Sequence, residues 1–222
     1  MFLMEFLDRI SIKGRTVLEV GCGPGGNLVR LAKAQPKKLV GSDISEVMIE
    51  LARKNTCDLE GVDLVHIDGI HLPFNDRSCD VTFTVTVLIH NHDAMLTKLL
   101  PEICRVTDDR LYLFESTGKV KREWFSYVSR PVSEYAALCA TYGFELLETE
   151  ILRVFVSYTA VTFLNRAIKL LNRIFGQNRK EGEPITKLHT LLIEAVLIIT
   201  KPFDNKLIPR EGLTKMVFQR KS

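Results

Sequence analysis

The first 150 residues alternate short runs of apolar and β-branched residues with stretches whose apolar positions recur at helical spacing. Strand followed by helix, repeated, is typical of βαβ units and a parallel sheet. The predicted strands are 16–20, 38–43, 62–67, 80–88, 110–115 and 144–152. Four helices are predicted in the same stretch: through Leu28 to Ala32, from Ser45 to about Asn55, over 94–106, and from Ser133 to Tyr142. The second carries Val47, Met48 and Leu51 on one face. In the last, Ser133 is the predicted N-cap and Gly143 ends the helix.

The pattern changes after Val154, where two longer apolar stretches replace the alternation. Residues 162–175 predict an amphipathic helix, because apolar residues occupy one face and basic residues the other. A second apolar helix is predicted over about 185–199, and residues 213–219 predict one last strand. The chain therefore divides into an α/β part and a mostly helical stretch that interrupts it before the last strand.

A glycine-rich segment, 17–27, joins the first predicted strand to the first predicted helix. Glycines permit a tight turn and let backbone N–H groups approach a ligand closely. Asp43 follows Gly21 by 22 residues at the end of the next strand, where a carboxylate can accept two ribose hydroxyls. The segment therefore predicts a nucleotide-like cofactor site.

The glycines alone leave two cofactors open, since Gly21, Gly23 and Gly26 also satisfy the dinucleotide pattern G-x-G-x-x-G. Glu19 favours the alternative, S-adenosylmethionine, because a carboxylate suits an amino group and a sulfonium better than a pyrophosphate. Asp68, after the third strand, can accept from an adenine amine, although it can equally be a turn residue before a glycine. No second nucleotide-binding half follows, which also disfavours an NAD-linked oxidoreductase.

These residues resemble the class I S-adenosylmethionine-dependent methyltransferases of the broad small-molecule type, close to methyltransferase types 11 and 12. The resemblance covers roughly residues 10–150. Its signature is E-x-G-x-G-x-G at Glu19, Gly21, Gly23 and Gly25, with acids at Asp43 and Asp68 and the segments Leu72-Pro73-Phe74 and Cys79-Asp80-Val81 before the fourth strand.

The resemblance implies a doubly wound α/β fold, a seven-stranded Rossmann-like sheet of order 3-2-1-4-5-7-6 with strand 7 antiparallel. Residues 213–219 then become strand 7 of one methyltransferase domain, 1–222, and about 153–211 become a helical insertion between strands 6 and 7. Only about 15 residues precede the first strand, so we expect the family's closing N-terminal helices to be shortened. We expect the insertion to help cover the acceptor site, as a lid.

The resemblance also assigns the cofactor contacts. Glu19 and Gly21 hold the methionine end with backbone help near Thr84 and Val85, and Asp43 takes the ribose. The remaining implied cofactor residues are Gly23, Gly25 and Asn27 in the loop, Ile44 and Met48 flanking the adenine, Asp68 at its amine, and the backbone of Gly69 and Ile70.

Methyl transfer needs an aligned acceptor and exclusion of water, and a base helps when the acceptor is a hydroxyl. His90 and His92, just past the fourth strand, are the candidate catalytic residues, although the family's histidine there is often structural. A metal site with Asp93 is disfavoured by the spacing. Glu115 can line the acceptor pocket or cap a turn, and Trp124, Phe125 and Tyr127 can gate the site or pack.

Charge is divided unevenly along a chain whose net charge is only +3. Residues 1–150 carry 17 basic against 22 acidic residues, and 151–222 carry 13 against 5. The basic end predicts either a solvated helix face or a partner for that end: an anionic substrate, a membrane surface or a nucleic acid. The longest apolar run, 188–199, is about 12 residues, short of the roughly 20 that span a bilayer.

We therefore expect an S-adenosylmethionine-dependent methyltransferase for a small-molecule, sugar or lipid-linked acceptor, with O- or N-methylation. An RNA methyltransferase and a catalytically silent scaffold or adaptor are the alternatives, and no DNA partner is expected. Five cysteines without a C-x-x-C pair, and no secretory signal, predict a reduced cytoplasmic protein, either free or associated peripherally with a membrane. The oligomeric state stays open.

Overall fold

Nine strands appear in the computed structural model, which describes residues 10–125, 127–151 and 212–221, and helical positions at 160, 163–168, 191–193, 195–196 and 198–200. The strands are β1 (Thr16–Val20), β2 (Lys38–Asp43), β3 (Val62–His66), β4 (Cys79–Val85), β5 (Thr107–Thr117), β6 (Arg122–Glu123), β7 (Val128–Ser129), β8 (Phe144–Ile151) and β9 (Gly212–Arg220).

Seven of these strands form one sheet in the order β3-β2-β1-β4-β5-β9-β8. Strands β1 to β5 pair in parallel, and β9 lies antiparallel between β5 and β8. With β8 and β9 in the places of strands 6 and 7, this confirms the predicted doubly wound order and the single antiparallel strand.

Within residues 10–151, four α-helices connect the strands: α1 (Gly26–Leu31), α2 (Glu46–Asn55), α3 (Asp93–Val106) and α4 (Val132–Thr141). Single 3-10 turns follow α1 at Ala32–Ala34 and β4 at Leu88–His90. The side chain of Ser45 caps α2 by accepting from the Met48 backbone N–H. Gly143, at φ 81°, ends α4 as predicted.

The core lies on both faces of the central strands, since β1 and β4 bury nearly every side chain that they carry. Helix α3 covers one face with Leu96, Leu99, Leu100 and Ile103, which recur at helical spacing and are at most 3% exposed. Strands buried on both faces read as continuous apolar runs, which explains why the parallel part was predicted so closely.

Three local predictions were wrong. Pro131, not Ser133, stands at the N-cap of α4, because Ser133 already lies in its first turn. Helix α2 buries Ile49 and Ala52, whereas Val47 and Leu51 are exposed. Strand β4 ends at Val85 instead of running to residue 88, because the chain turns sharply at the following residue.

A two-stranded antiparallel hairpin, β6 and β7, was not predicted. It follows the carboxyl end of β5 and precedes α4. Each strand is only two residues long, too short for an alternating pattern to be read from the sequence.

The chain separates into two compact units, one of Leu3–Leu152 with Arg210–Ser222 and one of Arg153–Pro209. In the second unit, residues 163–168 and 198–200 are helical. The rest of the two helices predicted over 162–175 and 185–199 lies outside the described residues, so their lengths and the lid role of the insertion stay predictions. Across the described positions, no helix combines the length and apolarity required to cross a bilayer.

Candidate functional site

The predicted site residues gather at one edge of the sheet, where the carboxyl ends of β1, β2 and β4 meet. The strand order reverses between β1 and β4, since β2 lies on one side of β1 and β4 on the other. In open α/β sheets, ligands bind in the crevice at such a reversal. Every cofactor residue that the sequence predicted lies at the carboxyl end of β1, β2 or β4, in the loop after β1, β2 or β3, or in the first turn of α1 or α2.

Glu19 is completely buried near the end of β1. Its Oε1 accepts a hydrogen bond from Asn27 Nδ2 at 2.6 Å. Its Oε2 has no hydrogen-bond partner among the residues that the structure describes. Burial raises the pKa of Glu19 to about 8, with the Asn27 hydrogen bond opposing the rise and the Asp43 carboxylate adding to it. An orphaned buried carboxylate oxygen is costly unless a ligand supplies the donor.

Asp43 ends β2 and is nearly buried. Its Oδ2 accepts from the Gly23 backbone N–H and its Oδ1 from the Ser45 backbone N–H, both at 2.8 Å. The carboxylate therefore fixes the glycine loop against the start of α2. Each oxygen keeps a second lone pair, which is the capacity needed to accept a hydroxyl from a sugar.

Gly21 is required by a close approach between the loops after β1 and β4. Its φ of 77° is left-handed, and a Cβ built there would lie 2.2 Å from Val87 Cγ2. Nothing lies within 4 Å of a Cβ built at Gly23. Gly25 stands at the N-cap of the six-residue helix α1. At Gly21 the loop therefore has no room for a side chain, whereas at Gly23 the space beside the backbone is open.

The loops after β2 and β3 meet beside this site. The Ile44 side chain is 62% exposed, and a Cβ built at Gly69 would lie 2.7 Å from Ile44 Cδ1. Met48 is half-buried one turn into α2. An exposed isoleucine at a sheet edge offers an apolar surface to a flat ring.

Asp68 is exposed, and its Oδ1 accepts from the backbone N–H groups of Ile70 and His71 at 2.8 and 2.7 Å. These two hydrogen bonds lower the pKa of Asp68, and the one from His71 has the larger effect. The turn role that the sequence left open is therefore present. A carboxylate that uses one oxygen for a turn keeps the other for a ligand amine, so the turn role and the adenine role are compatible.

Glu115, on β5, is completely buried, and its carboxylate accepts hydrogen bonds from the backbone of the loop after β4. Its Oε1 accepts from Thr84 Oγ1 at 2.8 Å, from Val87 N at 3.2 Å and from Leu88 N at 3.1 Å. Its Oε2 accepts from Ile89 N at 3.1 Å. Burial raises the pKa of Glu115 to about 7, and the hydrogen bonds oppose that rise. Of the two predicted roles, the structure shows the turn cap.

Arg130, which the sequence did not single out, holds the same loop from its carbonyl side. It is completely buried, and its guanidinium donates to Leu88 O at 3.2 Å, Asn91 O at 2.7 Å and Asp93 Oδ1 at 2.8 Å. Its Nε lies 3.2 Å from Glu134 Oε1. Two buried charged groups therefore fix the backbone that carries the predicted histidines.

The candidate catalytic histidines differ in their surroundings. His90 is exposed at the end of the 3-10 turn. His92 Nδ1 lies 2.5 Å from Glu123 Oε1 of the hairpin, and a carboxylate at that distance orients the ring. Asp93 pairs with both Lys121 and Arg130, so it has protein partners already. A base role for either histidine stays a prediction.

Backbone strain marks the end of β4. Thr86 has φ 53°, a left-handed conformation that is a genuine outlier for a β-branched residue. Such outliers gather at functional sites, where the surroundings enforce them. Its N–H donates to Phe114 O at 2.8 Å. Within the described part of the chain, no group of three or more histidine, cysteine or acidic residues is placed to hold a metal.

The site fits a cofactor with an amino group, a ribose and an adenine. Glu19 has an unpaired buried oxygen, Asp43 has remaining acceptor capacity and Gly23 faces open space. These three features lie at the ends of β1 and β2 and in the loop after β1, and they do not depend on the acceptor. Thr84 is completely buried and its hydroxyl donates to Glu115, so its side chain is not open to the methionine end.

Comparison with known proteins gives a partial sequence match. A family model described as a methyltransferase domain matches residues 17–110, from β1 into β5. The demethylmenaquinone methyltransferase of Staphylococcus aureus strain MRSA252 is 41% identical over 70 residues, 31% of this chain and 29% of that protein. This chain thus matches less than a third of the length of the curated relatives.

Solved structures share the fold along nearly the whole chain. The cyclase SpnF has a TM-score of 0.69 at 17% identity and covers 98% of this chain and 80% of its own. The geranyl diphosphate C-methyltransferase of Streptomyces coelicolor A3(2), in complex with S-adenosylhomocysteine, has a TM-score of 0.66 at 15% identity, with coverages of 98% and 76%.

Proposed function

We propose that this chain, a class I S-adenosylmethionine-dependent methyltransferase by its domain match and its fold, transfers the methyl group of S-adenosylmethionine to a small-molecule acceptor. The observation that carries the proposal is the pair Glu19 and Asp43. Glu19 has an unpaired buried oxygen and Asp43 fastens the glycine loop, both at the reversal point of this sheet.

Bound S-adenosylmethionine supplies a methyl group already activated by a sulfonium. Asp43 accepts the ribose hydroxyls, and Glu19 accepts from the amine of the methionine end. Ile44 and Met48 cover the adenine, and Asp68 accepts from its amine. The backbone at Thr84 and Val85 borders the methionine end. These residues bind and orient, and alignment of the acceptor is the main remaining requirement for transfer.

The loop after β4 supplies the acceptor side of the proposal. Glu115 and Arg130 fix that loop, so His90 and His92 are presented from rigid backbone. Where the acceptor is a hydroxyl, we assign His92 as the base, because Glu123 orients its ring. Nε2 of His92 then takes the acceptor proton.

A calorimetric titration with S-adenosylmethionine, S-adenosylhomocysteine and NADH tests the cofactor. We expect both adenosyl compounds to bind and NADH to show no heat. Asp43→Ala should weaken S-adenosylhomocysteine binding roughly a hundredfold, the loss of two charge-assisted hydrogen bonds. Asp63→Ala is the matched control, since Asp63 pairs with Lys38 on the surface and should leave affinity unchanged.

A scaffold or adaptor that binds the cofactor without turnover is a second candidate, because the cyclase SpnF shares this fold but is named for a reaction other than methyl transfer. An acceptor screen that follows transfer of a labelled methyl group from S-adenosylmethionine separates the two. Transfer to a component of the small-molecule or lipid fraction supports the enzyme, and transfer to RNA would favour an RNA methyltransferase instead. Cofactor binding with no transfer to any fraction favours the scaffold.

A lipid-linked acceptor, reached from the cytoplasmic side through the basic third of the chain, extends the proposal. Residues 151–222 carry 13 basic against 5 acidic residues. Phe163, Ile198 and Ile199 of that stretch are each at least two thirds exposed. We expect flotation with anionic vesicles at low salt and its loss at high salt. Lack of flotation at low salt would remove this extension and leave the soluble acceptors.

A further inference from the structure

An aromatic tip on the hairpin β6–β7 stands apart from the cofactor and acceptor contacts. Phe125 is fully exposed, and neighbouring Trp124 is 42% exposed. The Trp124 and Tyr127 rings stack with centroids 4.3 Å apart and 18° between their planes. The backbone N–H of Trp124 donates to the backbone carbonyl of Tyr127 at 2.9 Å, so the hairpin backbone holds this stack in place.

The root of the hairpin is rigid, which makes the exposed tip a fixed projection. Val128 is completely buried, and Arg130, next after β7, is held by the loop beyond β4. Gly118 N donates to Arg130 O at 3.3 Å at the base of the two arms. A tip presented from a buried root keeps its direction when it meets a surface.

The chemistry of the projection is amphipathic. Exposed Val120 lies between the exposed basic residues Lys119 and Lys121, and Arg122 follows. Asp93 and Glu134 lie beside Lys121, and Glu123 pairs with His92, so part of this charge is offset within the protein. Aromatic rings with adjacent bases are the composition that settles at the boundary between lipid headgroups and acyl chains.

We propose that the β6–β7 hairpin inserts Phe125 into the surface of an anionic bilayer, with Trp124 and Tyr127 at headgroup depth. A fully exposed side chain does not line a pocket, and this argues for insertion into an extended apolar phase over binding of a small molecule. Lys119 and Arg122 complement the anionic headgroups. Glu123 of the same hairpin is hydrogen-bonded to His92, so this contact connects the hairpin to the acceptor side of the site.

Trp124 is the sole tryptophan of the chain, so its fluorescence reports on the tip directly. The experiment mixes the full chain with vesicles of phosphatidylcholine and phosphatidylglycerol, with and without brominated acyl chains. We expect the emission to shift to shorter wavelength and the brominated lipid to quench it. Phe125→Ser should weaken vesicle affinity at least roughly tenfold, the loss of one buried phenyl group.

Leu147→Ser is the matched control, because Leu147 is an exposed apolar residue too but lies on the edge strand β8. It should leave vesicle affinity unchanged, and both variants should keep the thermal midpoint of the parent. Vesicle binding without quenching of Trp124, and unaffected by Phe125→Ser, would place the contact elsewhere and overturn the proposal. The measurement needs no methyl donor, so its failure is distinguishable from a failure of the methyl-transfer proposal.

Discussion

Two completely buried glutamates stand on strands β1 and β5 of one sheet, and they are used in opposite ways. Glu115 accepts four hydrogen bonds from the protein, three of them from the backbone of the loop after β4. Glu19 accepts one, from Asn27, and leaves Oε2 unpaired among the described residues. Burial raises the pKa of both carboxyls, to about 7 and about 8.

The difference separates a structural carboxylate from one that awaits a ligand. A buried acceptor whose bonds are all made inside the protein contributes to stability, whereas an unmade bond costs free energy until a partner arrives. Residue type and burial do not distinguish these two glutamates. The hydrogen-bond partners do, and they predict that substitutions at the two sites will affect different measurements.

The largest effect is expected on stability at Glu115. Glu115→Ala leaves three buried backbone N–H groups and the Thr84 hydroxyl without their acceptor, which should lower the free energy of unfolding by about 3–5 kcal/mol. Urea unfolding followed by circular dichroism measures it. Glu145→Ala, at an exposed glutamate on β8, should stay within about 0.5 kcal/mol. A loss below about 1 kcal/mol for Glu115→Ala would contradict the structural role.

Glu19→Gln should show the reverse pattern. At pH 6 the parent carboxyl is mostly protonated, so an amide of the same shape should change the free energy of unfolding by less than about 1.5 kcal/mol. Binding of S-adenosylhomocysteine, by calorimetry at pH 7.5, should weaken roughly ten- to a hundredfold, because a charge-assisted bond is lost. Equal affinities for parent and variant would remove Glu19 from the cofactor site.

The raised pKa of Glu19 gives a smaller, pH-dependent effect. Below pH 8 the unliganded carboxyl holds a proton that must leave when a cationic amine binds, so affinity should rise as pH rises. We expect a gain of up to roughly fiftyfold between pH 6 and pH 8, largely absent in Glu19→Gln. Titration of the ligand's own amine is common to both proteins and cancels. Parallel pH profiles for the two would count against this coupling.

The smallest effect concerns backbone conformation. The loop after β1 places glycines at its positive φ angles, whereas the loop after β4 places Thr86 at 53°. Thr86→Gly should relieve strain and raise the free energy of unfolding by up to about 1 kcal/mol, net of the entropy cost of glycine. Thr97→Gly, inside helix α3, should be destabilising instead. A destabilised Thr86→Gly would show that the hydroxyl bond to Val85 O outweighs the strain.

Most of the sheet was predictable because its signals are local. Strands β1 and β2 were predicted to the residue, and the loop glycines with Glu19 and Asp43 predicted where the cofactor residues would meet. The exposed face of α2 was not, because Val47 and Leu51 have the spacing of a core-facing stripe and yet are exposed, and spacing alone does not tell which side of a helix is buried.

The supports of the acceptor side were not predictable for a different reason. Arg130 lies 42 residues from Leu88 along the chain, and Glu115 lies 27 residues from the same Leu88. Such partners are chosen by the fold, and an arginine in sequence is normally expected at the surface. The His92–Glu123 pair likewise depends on a hairpin with no sequence pattern.

Strand β9 carries a consequence for how the protein is made. It lies between β5 and β8, yet its residues 212–220 are translated after all the other strands of the sheet. During translation, the edge of β5 that pairs with β9 therefore stays unpaired, and β8 has no neighbouring strand in the sheet until β9 emerges from the ribosome. Exposed edges of this kind invite pairing with other chains. We therefore expect nascent chains that stop before residue 212 to engage chaperones, because the sheet cannot close until β9 has left the ribosome.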